Sequence, residues 1–114
     1  LSEEGSSVQV VFQLHNAEID TAIQSRAAQA VEKLAGRLRR VVDATVRVAG
    51  GGAQQRVEIT LRSPRRPALV AEGTGYRLDV ALRAALAGLE AQIAKVRESR
   101  ARRVRTARQA AAGA

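Results

Sequence analysis

Few of the 114 residues could carry bond-making chemistry. His15 is the only imidazole and there is no cysteine, which removes a thiol nucleophile, a disulfide framework, a Cys-ligated zinc site and a multi-His metal site. A lone His beside the turn signal His15-Asn16 reads as structural. Glu18 and Asp20 stand two apart, but helix initiation and capping account for both. Glu58 is flanked by arginines on a strand face, where a cross-strand ion pair suffices. Gly50-Gly51-Gly52 is not followed by Gly-Lys-Ser/Thr and is no phosphate loop. Gly73-Thr74-Gly75 precedes a helix whose amino terminus could hold an anion, but two glycines are thin support. No nucleophile, base and orienting group can be assembled. The chain therefore reads as a non-enzyme, with no cofactor, no metal and no small-molecule substrate.

What remains is fixed positive charge. Nineteen Lys+Arg oppose eleven Asp+Glu for a formal charge of +8, and all but Lys33 and Lys95 of the nineteen are arginine. Arginine suits planar, bidentate phosphate contacts, and such an excess points to a polyanion. The charge is also clustered. Residues 1–36 sum to −3, 37–66 to +6, 67–94 to −1 and 95–114 to +6. Solubility alone needs no such blocks. Phe12 and Tyr76 are the only aromatics, too few for a base-stacking platform.

The elements that must hold these cations follow from hydrophobic period. The length fits one domain with one modest core. Residues 1–7 read as loose, and LSEEGSSVQ is no signal peptide. Absence of methionine predicts that the chain starts after its native first residue. Residues 8–14 place Val8, Val10, Phe12 and Leu14 on one strand face. Residues 20–39 form a helix capped by Asp20, with Ile23, Ala27, Ala30, Val31, Leu34 and Leu38 as its core stripe and Arg37, Arg39 and Arg40 in its last turn. Strands 41–49 (Val42, Ala44, Val46 and Val48 inward) and 55–62 (Val57, Ile59 and Leu61 inward) make a hairpin across the Gly50–Gly52 turn. A second turn at 63–67 leads to a short strand, 68–72, which Gly73-Thr74-Gly75 ends. A long helix starts near Tyr76, with Leu78, Leu82, Ala85, Leu86, Leu89, Ile93 and Val96 inward. The predicted fold is α+β, in the order β-α-β-β-β-α. It has a four-stranded mixed sheet, a crossover joining its first two strands, and both helices packed on one face.

On the first helix Arg26, Lys33, Arg37 and Arg40 fall within an arc of about 60°, beside the core stripe. A phosphate-tracking helix needs such a one-sided flank, and a solvated helix edge offers the same pattern. On the second helix one flank reads Arg77, Ala81, Ala84, Gly88, Lys95, Arg102. Its small residues let another backbone come close, or reflect only the helix propensity of alanine.

The order of elements and a set of local motifs resemble the ribosome hibernation-promoting factors and ribosome-associated inhibitor A, the sigma-54 modulation protein family. The motifs are Asn16-Ala17-Glu18-Ile19-Asp20, Glu32-Lys33-Leu34, Val57-Glu58-Ile59, Ala71-Glu72-Gly73 and Leu89-Glu90-Ala91-Gln92-Ile93, over residues 8–97. The resemblance implies a protein that binds the small ribosomal subunit between head and body, in the mRNA and tRNA channel. There it blocks translation through basic contacts to ribosomal RNA. Lys33, Lys95 and Arg97 match basic positions of that pattern. The chain departs from it at Asp20, where the family usually has Thr, at Ala30, Gly88 and Ala91, where it carries basic residues, and at Arg77-Leu78-Asp79 in place of Asp-Met-Tyr. The tail arginines, Arg100 and Arg102 among them, could substitute for the missing contacts. The extra dimerisation domain of the long family forms is lacking, so the chain is a short form or an amino-terminal domain.

Residues 8–97 are thus expected to form a hibernation-factor-like domain, and 98–114 a basic tail that extends the helix or is disordered. The expected RNA contacts are Arg26, Lys33, Arg37, Arg40, Arg77, Lys95, Arg97, Arg100 and Arg102. The expected partner is the small ribosomal subunit and its RNA, in the cytoplasm and away from membranes. The alternatives are a general double-stranded RNA-binding module, or a protein-interaction domain that would make the chain a homodimer.

Overall fold

The computed structural model describes residues 8–38, 40–50, 52–64 and 66–113. The amino-terminal segment 1–7 expected to be loose, Arg39 of the first helix's last turn, Gly51 of the glycine turn and Arg65 of the second turn lie outside the described residues. Strand β1 (Gln9–His15) leads to helix α1 (Thr21–Ala35). Then follow β2 (Asp43–Ala49), β3 (Gln55–Ser63), β4 (Arg66–Gly75) and helix α2 (Leu78–Gly113). The sheet order is β1-β2-β3-β4. β1 and β2 run parallel through the α1 crossover, with Phe12 opposite Val46. β2, β3 and β4 form an antiparallel meander, with Val46 opposite Ile59 and Ile59 opposite Ala71. This is the α+β arrangement expected from the hydrophobic period.

One row of alternate side chains carries the core. Val46, Val48, Val57, Ile59 and Leu61 are buried against Ala27, Val31, Leu34 and Ala35 of α1 and Ala81, Ala85, Leu89 and Ile93 of α2. Both helices thus cover one sheet face. The other carries the exposed Arg47, Arg56 and Arg62. Asp20 caps α1, its carboxylate accepting from the Ala22 amide at 3.3 Å.

Four expectations need correction. Leu14 and Val42 do not face the core: they are 47% and 52% exposed. Leu14 lies near the end of an edge strand, and Val42 precedes β2, its amide donating to the Arg62 carbonyl at 2.9 Å. Helix α1 ends at Ala35 rather than residue 39, with Gly36 as its cap. Arg37 therefore lies in the turn after the helix, and Arg40 is further off it, in a left-handed conformation with φ 63° that re-aims the chain into β2. The fourth strand does not stop at residue 72. It continues to Gly75, with Gly73 opposite Val57 and Gly75 opposite Gln55.

Gly73 stays in the strand because α2 crosses directly over it. A Cβ there would strike the Ala81 carbonyl and the Ala85 amide, and would lie 2.8 Å from the Ala84 methyl. The small-residue flank of α2 is thus explained by close approach to the chain's own β4. At its far end Gln92 donates its side-chain amide to the Val70 carbonyl at 2.6 Å.

Candidate nucleic-acid interface

The cations divide by layer. On the open sheet face every described arginine of β2 and β3 has a carboxylate partner. Arg62 pairs with Asp43 at 3.0 Å, Arg47 with Glu58 at 3.4 Å, and Arg56 with Glu72. Strand register sets these pairs: Asp43 is opposite Arg62, and Arg47 is opposite Glu58. These three pairs neutralise one another, and Arg66 of β4 has no carboxylate within 4.0 Å among the described residues.

The helix layer is different. Ile23, Arg26, Ala27 and Ala30 of α1 face Asp79, Leu82, Arg83 and Leu86 of α2 across a shallow groove. Further along, Arg37 donates to Glu90 at 3.2 Å. Arg26 lies beside Asp79 and Arg83, and Arg37 beside Glu90, so the two helices advance in the same direction. Lys33 shares the Arg26–Arg37 ridge, being seven residues from one and four from the other. Arg97 follows Glu90 by seven and lies on the same flank of α2. Among the described residues, Arg26, Lys33, Arg83, Lys95 and Arg97 have no carboxylate within 4.0 Å. Their charge is not compensated by an ion pair within the described part of the chain.

Arg26 lines the groove, Lys33 and Arg37 continue its α1 side, and Arg97 lies beyond its end on α2. Arg83 joins them and was absent from the sequence expectation. Its signal was its phase, four residues after Asp79 and seven before Glu90, which is informative only once the groove-facing flank of α2 is known. Lys95 shares the helical phase of the flank that packs on β4, and Arg102 continues that phase into the exposed part of α2. Arg100 is half-buried and Arg102 exposed, within reach of Glu98 at 3.8 Å. Arg40 stands apart in the α1–β2 connection. Arg77 is clamped by Asp79 through two hydrogen bonds of 3.1 and 2.8 Å. The hydrogen bond and charge of Asp79 push the Arg77 guanidinium above its ordinary pKa. The hydrogen bond from Arg77 holds the Asp79 carboxyl below the usual carboxylate range. Asp79 also lies in the first turn of α2, where negative charge suits the helix dipole.

No group of three or more His, Asp or Glu side chains among the described residues is placed to hold a metal ion. No helix among them is long and apolar enough to cross a membrane.

These features define an α+β domain with three cross-strand ion pairs on its open sheet face and unpaired cations on its two helices. The family model described as "Sigma 54 modulation protein / S30EA ribosomal protein" matches residues 10–101, and the chain belongs to that family. Two solved structures share the fold. The Protein Y amino-terminal domain of Thermus thermophilus superposes with a TM-score of 0.62 at 22% identity, covering 78% of this chain and 94% of that one. A ribosomal subunit interface protein of Coxiella burnetii gives 0.63 at 13% identity, covering 79% and 98%. Among curated proteins no significant match is found.

Proposed function

We propose that this chain is a ribosome-associated translation inhibitor of the hibernation type. It binds small-subunit ribosomal RNA in the mRNA–tRNA channel through the cationic groove between α1 and α2. The observation that carries the reading is the division of charge: Arg47, Arg56 and Arg62 of the sheet are paired with carboxylates, while Arg26, Lys33 and Arg83 of the helices have none within 4.0 Å among the described residues. Unpaired, exposed arginine and lysine beside a rigid core keep their charge for phosphate, and arginine adds bidentate geometry. Family membership supports the ribosome as the source of that phosphate, as does the description of the Coxiella burnetii relative as a subunit interface protein. Ala30 lacks the family's basic side chain, and Arg26 and Arg83 supply positive charge beside it.

The test is co-sedimentation with purified small subunits over a range of salt. Log affinity falls linearly with log salt, with a slope of about −0.7 to −0.9 per phosphate neutralised. Lys33→Glu combined with Arg37→Glu lowers binding at least tenfold while the melting temperature moves little. Sedimentation unchanged by the double substitution would remove the groove from the interface. Equally tight capture of free RNA duplex would favour a general double-stranded RNA module instead.

A further inference from the structure

The last core contact of α2 is Val96, which packs partly buried against the core. The helix nevertheless runs on to Gly113. At about 1.5 Å per residue the remaining 17 residues project about 25 Å beyond the packed layer, and the molecule is 61 Å long on its principal axis. Every side chain from Ala101 to Ala110 is exposed. This stretch is a bare helix with no structural partner among the described residues.

Its arginines are not on one side. At about 100° per residue, Arg97, Arg100, Arg102, Arg103, Arg105 and Arg108 surround the axis and leave no sector wider than about 100° empty. On α1, Arg26 and Lys33 fall within about 20°. A flat polyanion surface can engage only one side of a helix. Glu98 is the only acid among residues 97–114, and Val104 the only bulky apolar side chain there. The apolar face by which a helix lies on lipid is therefore missing. The arginines also repel one another at spacing three (97 and 100, 100 and 103, 102 and 105, 105 and 108), which weakens the helix unless anions intervene.

We infer that the α2 extension is a second, separate RNA-binding element, and that it inserts into an RNA crevice walled by phosphates on at least two sides. The inference rests on the ribosomal RNA reading but concerns a different surface from the groove. The groove lies against the core and presents one cationic face, whereas the extension is a probe charged all round.

The experiment uses the full chain and purified small subunits. Two variants neutralise opposite sides: Arg100→Gln with Arg103→Gln, and Arg102→Gln with Arg105→Gln. Glutamine keeps helix propensity, and a far-ultraviolet spectrum verifies that the helix persists. Each pair is expected to weaken binding and to flatten the log–log salt slope by about 1.4 to 1.8, the share of two phosphates. If only one pair has an effect, the contact is one-sided and the crevice is overturned. If neither has, while Lys33→Glu with Arg37→Glu still abolishes binding, the extension is no RNA element and the groove reading stands alone. Capture by anionic phosphatidylglycerol vesicles that these arginines control, without any change on subunits, would assign the extension to lipid and overturn the inference.

Discussion

Arg83 and Gly73 show how much single positions contribute. Arg83 stands across the groove from Arg26 with no carboxylate within 4.0 Å among the described residues. Arg83→Glu is expected to reduce affinity for small subunits about as much as a substitution on the α1 ridge, measured by sedimentation at fixed salt. Gly73 permits α2 to cross β4 in backbone contact. Gly73→Ala forces that crossing apart and is expected to cost about 1–3 kcal/mol, as overpacking does, read as a lower denaturant midpoint with the same slope. Arg77 and Asp79 make a smaller point about pH. Asp79 has its pKa lowered in the folded state, first by the Arg77 hydrogen bond. Its contribution to stability is therefore present above the ordinary carboxylate pKa and is lost as pH falls through the folded value. Arg77→Gln should return the Asp79 titration, followed by carbon-detected NMR, to the usual carboxylate range. An unmoved titration would show that Arg77 is not its cause.

At the scale of elements, α1 depends on its ends as much as on its stripe. Its cap is a short acidic side chain reaching the Ala22 amide. Asp20→Ala should cost about 0.5–2 kcal/mol, while Asp20→Thr should cost much less, since a hydroxyl can accept the same bond. Thermal unfolding of the two variants compares them directly. The sheet makes the contrasting case. Its three exposed ion pairs are screened by water and contribute roughly 0–1 kcal/mol each. Their consequence is neutrality: they remove Arg47, Arg56 and Arg62 from competition for phosphate. Glycine weakens strands in general, so Gly73–Gly75 reads as a break in the sequence. In the fold it is the place where a helix needs the missing Cβ, and strand pairing with β3 carries the chain through.

For the whole molecule, charge and shape act together. A net charge of +8 spread evenly would attract any polyanion weakly. Here Arg47, Arg56 and Arg62 are paired across the sheet, while unpaired cations stand on the two helices and most of the excess lies in the projecting extension. Arg47→Gln with Arg62→Gln removes as much formal charge as Arg26→Gln with Lys33→Gln. The sheet pair is expected to leave subunit affinity within about twofold, whereas the ridge pair should lower it and flatten the salt slope by about 1.4 to 1.8. Equal effects from the two would mean that net charge alone governs binding. Sizing chromatography at low and high salt addresses the dimer alternative, which predicts a larger particle whose size does not respond to salt.

Element order and inward faces were legible from residue order because burial on a strand or helix repeats with a local period. Val57, Ile59 and Leu61 could be assigned inward from their spacing alone, and so could Val31 and Leu34. The exceptions, Leu14 and Val42, lie at strand margins where the period continues but the covering helix does not. Which cations are neutralised could not be read in this way. Arg56 and Glu72 are 16 residues apart, Arg62 and Asp43 19, and Arg37 and Glu90 53. Such pairs exist only after strand register and helix docking have brought distant segments within a few ångströms. The same docking turns Arg83 toward Arg26 and sends Lys95 to the far flank. Composition supplied the positive charge, and the packing of two helices on one sheet determines where it is free to act.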